Sequence, residues 1–373
     1  LGDDVLIGGA GADTIQGGIG VDTADYSGSG SAVTVNLATG TGSAGDAAGD
    51  TLSSIETVIG SAFADTLTGS SNGDTLSGGA GNDVIDGGLG NDTLLGGAND
   101  DTLVGGTGSD ILDGGSGIDT ADYTASTAAV TVYANGIDTG AGGSATGDIL
   151  YNIERVLGSA FGDTIQGSTG ADTLMGQDGN DVLEGLAGAD VLDGGNGTDT
   201  ASYEHATSAV AVSLATGTGT LGDANGDTLT SIERLLGSDY DDTLAGGTGA
   251  ETLDGGAGDD LLVGSAGADT LTGGAGFDTA DYSGATGGVT VNLDGSSSSG
   301  DIAAGDRLTA IESVIGSGFA DSITGTFSDD TLLGGASNDI LTGGSGSDIL
   351  SGEAGNDTLV GGLGADQMDG GIG

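Results

Sequence analysis

An aspartate returns every ninth residue through most of this 373-residue chain. In the longest run it stands at Asp74, Asp83, Asp92, Asp101, Asp110 and Asp119. The same spacing sets Asp4, Asp13 and Asp22, then Asp172, Asp181, Asp190 and Asp199, then Asp260, Asp269 and Asp278, then Asp330, Asp339, Asp348, Asp357 and Asp366. A regular file of carboxylates is not acid–base machinery, which needs two groups in unlike environments. It is a file of hard oxygen donors, so these aspartates are candidate ligands for a divalent cation. Calcium suits them, because it accepts six to eight oxygens at about 2.3–2.6 Å and tolerates backbone carbonyls among them, whereas magnesium is smaller and holds its water. Covalent chemistry has no apparatus: Cys and Lys are absent, and the single His205 lies in ASYEHATS, where it reads as a solvated surface residue.

The elements that would carry these aspartates are legible in the spacing. From Gly60 the chain reads GSAFADTLT, GSSNGDTLS, GGAGNDVID, GGLGNDTLL, GGANDDTLV, GGTGSDILD and GGSGIDTAD without a gap. Further runs begin at Gly8, Gly158, Gly237 and Gly316, giving 25 complete nines of the form G-G-x-G-x-D-x-U-x, with U mostly Leu, Ile or Val. The glycines permit positive φ and close backbone approach, so the first six residues turn tightly. The last three make a short strand with U directed inward. Two nines then form one coil, and coils stack as parallel strands about 4.8 Å apart with turns along both edges. Aspartates two nines apart share an edge, where they would repel unless a cation sits between each pair. Counting such pairs gives on the order of 16 calcium ions.

Composition points the same way. The chain has 57 acidic residues against 3 basic ones, a formal charge of -54 that internal ion pairs cannot neutralise. With 84 Gly and 3% aromatic residues it would fall among disordered sequences, were it not for a repeat that lets neighbours build a shared core. Such acidity argues against nucleic acid as a partner, and no apolar run approaches the roughly 18 residues of a membrane span. Both ends cut through a nine and no Met or signal-like segment opens the chain, so a fragment of a longer array is expected, or export by a route that reads no N-terminal signal.

The nines resemble the calcium-binding repeats of the RTX (repeats-in-toxin) family. The resemblance implies an all-β fold, a parallel β-roll, with calcium held between adjacent turns by the sixth-position Asp and glycine carbonyls. It also implies secretion through a type I apparatus.

A larger period overlies the small one. DTADY and its variants recur at Asp22, Asp119, Asp199 and Asp278, and the first interval exceeds the last by 18 residues, one coil. The expected division is therefore roll at 1–25, 60–122, 158–202, 237–281 and 316–373, with connectors at 26–59, 123–157, 203–236 and 282–315. The connectors alternate like strands, as at Val33, Val35 and Leu37, resemble those leading into serralysin-type rolls, and read as wider coils of the same stack. Phe63, Phe161, Tyr240 and Phe319 stand where the first turn of each block wants Gly. That turn is expected to depart from calcium geometry and to pack against the connector. Asp50, Asp148, Asp227 and Asp306, with Glu56, Glu154, Glu233 and Glu312, are expected either to bind further calcium or to cap turns, the glutamates alternatively pairing with Arg155 and Arg234. Asp46, Asp223 and Asp301 lack a counterpart in the second connector. Glu251 replaces Asp in one turn and should weaken it.

The expected function is a calcium-binding structural region of a secreted, extracellular or cell-surface protein: a surface layer, filament or adhesin stalk. Its partners would be calcium and further copies of itself or surface components. The alternative is a secretion and folding module of an exoenzyme, either a serralysin-type protease, a lipase or an alginate epimerase.

Overall fold

The structure is a computed structural model that describes residues 2–373. The chain forms two compact units, Leu1–Glu184 with Asp193–Gly197, and Gly185–Leu192 with Thr198–Gly373. Most strands are three residues long, within the nines the x-U-x tails, and several run on to six through the glycines that follow.

In the first unit one face carries Val5–Leu6, Thr23–Asp25, Thr57–Ile59, Thr75–Ala80, Thr93–Ala98, Ile111–Ser116 and Ile149–Tyr151, all parallel. The other face carries Thr66–Thr68, Val84–Asp86, Thr102–Val104 and Thr120–Asp122. Ile85 lies opposite Leu103 and Leu94 opposite Leu112, so one coil is two nines, as the sequence requires. The second unit repeats this, with Thr243–Ala245, Leu261–Val263 and Thr279–Asp281 on one face and Thr252–Ala257 and Thr270–Ala275 on the other. This is an all-β parallel β-roll.

A three-residue strand cannot hold itself together, and the file of U side chains between the faces supplies what it lacks. Leu67, Leu76, Ile85, Leu94, Leu103 and Leu112 are completely buried, each worth about 1.5–3 kcal/mol of transfer free energy.

The connectors continue the stack, with a difference that alternation alone did not reveal. In 26–59, Thr34–Asn36, Thr41–Ser43 and Thr51–Ser53 form an antiparallel meander within one face. Its outer strands pair parallel with Thr66–Thr68 and Thr14–Gln16. The opposite face passes straight through, Thr57–Ile59 lying between Thr23–Asp25 and Thr75–Ala80. Connector 203–236 has the same meander, and the other two reduce it to single antiparallel bridges, Thr131 with Ala141 and Thr290 with Ser299.

Two kinds of aromatic part company here. Tyr26, Tyr123, Tyr203 and Tyr282 are buried in the connectors. Phe63, Phe161, Tyr240 and Phe319 remain 44–47% exposed, while their turns meet the connectors through the aspartate, as where Asp65 accepts the Val33 N–H and Asp163 the Val130 N–H. Among the described residues no helix is long and apolar enough to cross a membrane.

Candidate metal centres

The sixth-position carboxylates turn inward, against the flank of the core. Asp83, Asp92 and Asp101 are 1% exposed, and Asp110 and Asp119 are fully buried. One oxygen of each receives a backbone N–H from the aspartate one coil earlier. The Asp74 N–H donates to Asp92 Oδ1 at 2.7 Å, Asp83 to Asp101 at 2.7 Å, Asp92 to Asp110 at 2.8 Å and Asp101 to Asp119 at 2.8 Å. The same bond joins Asp4 to Asp22 and Asp163 to Asp181, and in the second unit Asp242 to Asp260, Asp260 to Asp278, Asp339 to Asp357 and Asp348 to Asp366. Adjacent carboxylates thus do not confront one another bare, because each leans over its neighbour's amide.

The second oxygen is different. Among the described residues, Oδ2 of Asp13, Asp22, Asp83, Asp92, Asp101, Asp110 and Asp119 is buried without a hydrogen-bond partner, as is Oδ2 of Asp260, Asp269, Asp278, Asp339, Asp348 and Asp357. It lies over the first glycine of its own turn: a Cβ on Gly87 would stand 2.5 Å from Asp92 Oδ2, and one on Gly96 2.5 Å from Asp101 Oδ2. Carbonyl oxygens crowd the gap between turns as well, since a Cβ on Gly88, at φ +93°, would meet the Ser70 carbonyl at 2.7 Å. Burial pushes the carboxyls of Asp83, Asp92, Asp260 and Asp269 up to about 7 and that of Asp101 to about 6. The ladder N–H only partly offsets this, and neighbouring carboxylates add to it. A buried, half-satisfied carboxylate is costly while it stays ionised, and a bound cation would relieve it. Among the described residues no three acidic or histidine side chains converge, so a cation would draw on carboxylates of adjacent coils and on backbone carbonyls. That hard, carbonyl-rich donor set fits calcium.

Residues 1–28, 59–94, 86–121, 157–192, 166–201, 227–262, 245–280, 315–350 and 342–373 match the profile of the RTX calcium-binding nonapeptide repeat, together about two thirds of the chain. The chain belongs to this RTX family. A search of curated proteins returned no match. RTX nonapeptides bind calcium, and their roll is a structural fold, not a catalytic one.

Not every RTX turn here is alike. Where the second residue is Ser or Thr in the leading coil of a block, its backbone N–H donates to Oδ2 of the turn's own aspartate. Ser61 does so to Asp65, Ser70 to Asp74 at 2.6 Å, Ser159 to Asp163 at 2.5 Å and Ser168 to Asp172 at 2.6 Å. Ser238 to Asp242 (2.5 Å), Ser317 to Asp321 (2.6 Å) and Thr326 to Asp330 (2.6 Å) repeat it. Hydroxyls add to the closure, as Ser61 Oγ–H to Asp65 Oδ1 at 2.8 Å. Asp74, Asp172 and Asp330 therefore differ from the other candidate ligands. Asp190 and Asp199 are buried in the stack and donate their N–H to Asp227 and Glu233.

The connector acids take up the same ladder. Asp50, Asp148, Asp227 and Asp306 accept the N–H of Asp13, Asp110, Asp190 and Asp269, each at 2.8–2.9 Å. Their second oxygens accept the phenols of Tyr26, Tyr123, Tyr203 and Tyr282 at 2.9–3.1 Å. Glu56, Glu154, Glu233 and Glu312 accept the N–H of Asp22, Asp119, Asp199 and Asp278 at 2.9–3.0 Å, which is the capping role. Sequence reasoning missed the tyrosine partners, although each tyrosine's recurrence beside DTAD marked it. Glu251 curls back to accept the Gly249 N–H at 2.7 Å, its extra methylene allowing what an Asp cannot do. His205 is exposed.

Proposed function

We propose that this RTX chain is a structural segment of a secreted, extracellular or cell-surface protein, such as a surface layer, filament or adhesin stalk, that folds when calcium enters its turns. The observation that carries the reading is the file of buried Oδ2 atoms without partners in a chain of net charge -54. Asp83, Asp92, Asp101, Asp110 and Asp119 supply the ligands in the longest block, with the matching open turns elsewhere. Calcium contributes the positive charge that lets these carboxylates stay ionised inside the stack. The residues do the rest: Oδ1 fixes the spacing of coils through the neighbouring N–H, and glycine leaves room for Oδ2 to face the gap. Binding free energy is then folding free energy.

Far-UV circular dichroism of the dialysed chain tests this. A disordered spectrum in excess chelator should give way cooperatively to β signal, with a midpoint in the range of about 0.1–1 mM typical of extracellular calcium modules, and equal magnesium should not substitute. Retained β structure in chelator would refute calcium-dependent folding. A midpoint in the low nanomolar range would refute the extracellular reading, since the chain would then fold before leaving the cell.

A further inference from the structure

The unpartnered oxygens are not spread evenly, and their distribution carries information about where calcium goes. In the first connector and the coil that follows it, all four stack carboxylates accept hydrogen bonds from protein groups. Asp50 takes the Asp13 N–H and the Tyr26 phenol, and Glu56 takes the Asp22 N–H. Asp65 takes the Ser61 N–H and hydroxyl together with the Val33 N–H, and Asp74 takes the Ser70 N–H. None of the four has a buried oxygen without a partner. The pattern returns at Asp148, Glu154, Asp163 and Asp172, and again at Asp306, Glu312, Asp321 and Asp330. At the remaining connector only Glu251 keeps such an oxygen, Oε2.

The switch between the two states lies in the second residue of the turn. In open turns it has positive φ, as at Gly79, Gly88, Gly97, Gly106 and Gly115, and its N–H does not reach the carboxylate. In closed turns Ser61, Ser70, Ser159 and Ser168 avoid positive φ, which turns the same N–H onto Oδ2. A serine is not sufficient by itself: Ser265 has φ +74°, and its Asp269 Oδ2 has no partner. The orientation of that one N–H decides whether the carboxylate needs a cation.

We propose that each connector, with the coil after it, is a calcium-free seam, and that calcium is confined to the open coils between seams. The first seam comprises residues 26–77 and the second 123–175. This rests on the calcium reading above and adds to it where the metal is excluded. In a seam, hydrogen bonds from Ser, Thr, Tyr and backbone N–H groups do for the carboxylates what calcium does elsewhere.

The test is the number of calcium ions bound by the full chain, measured by equilibrium dialysis with elemental analysis, with folding in calcium verified by circular dichroism. Asp65→Asn and Asp163→Asn, isosteric changes in seams, should leave the count unchanged, whereas Asp101→Asn in an open turn should lower it by at least one. The double variant Ser61→Gly with Ser70→Gly, which permits positive φ at both second positions, should raise the count by one or two. Loss of calcium from Asp65→Asn equal to that from Asp101→Asn, or no gain in the glycine variant, would overturn the seam. A wild-type chain that bound no calcium at all would instead overturn the underlying reading.

Discussion

If burial without a partner is what makes these carboxylates demand calcium, protons should serve in its place, and the two ligands should oppose each other. Asp83, Asp92, Asp260 and Asp269 are pushed up to about 7 and Asp101 to about 6, against an ordinary 3.8, and burial lifts the partnered seam carboxyl of Asp148 to about 7 as well. Between pH 4 and 6 the metal-free folded chain therefore holds up to six protons that the unfolded chain has released. Its stability must fall as pH rises through this window, and rise as pH falls. Each proton contributes about 1.4 kcal/mol per pH unit, so six give up to about 8. The turns border water, whose screening brings this to roughly 4 kcal/mol per pH unit. In saturating calcium the sign reverses, because protons compete for the ligand oxygens. Far-UV circular dichroism of exhaustively dialysed protein, taken from pH 7.5 to 5.5 and so above the pI near 4.1, should show β signal growing without calcium and stability declining with it. A matched series in sodium chloride at pH 7.5 isolates general charge screening, which should do less. No gain on acidification, or the same sign in both arms, would refute the argument.

Four further outcomes follow from packing. Tyr123→Phe strands Asp148 Oδ2 in the core and should cost about 1–3 kcal/mol in urea unfolding with calcium present; unchanged stability would mean the phenol is not Asp148's partner. Leu94→Ala, at a completely buried site, should cost about 2–5 kcal/mol by the same assay, and less than 1 would show that the stack collapses around the gap. Gly108→Ala, at φ +149° with its new Cβ overlapping the Gly90 carbonyl oxygen, should cost at least about 2 kcal/mol. Gly30→Ala, where nothing lies within 4 Å, should stay within about 0.5.

The fold was legible because each nine repeats one local instruction, and repetition leaves only one way to bury Leu76, Ile85 and Leu94 together. The placement of the acids was legible for the same reason. Their orientation was not. Spacing shows that Asp92 and Asp110 are neighbours, but not that one oxygen would lean onto an amide and leave the other alone. What Ser61 and Ser70 do where other nines carry glycine was not legible either, since the consequence of losing positive φ depends on where an N–H points in three dimensions. The meander at 34–53 escaped because alternation gives a strand its faces and not its partners.

The amide-to-carboxylate ladder has a sense of direction. Every donor lies one coil before its acceptor, as Asp83 lies before Asp101. Two partly built stacks are therefore unlike at their two faces, one showing bare carboxylates and the other bare amides. A coil that docks on the N-terminal side brings only an amide to an acid already in place. One that docks on the C-terminal side brings its own carboxylate to an amide already in place. The roll, though it looks the same in every coil, is therefore a one-way structure.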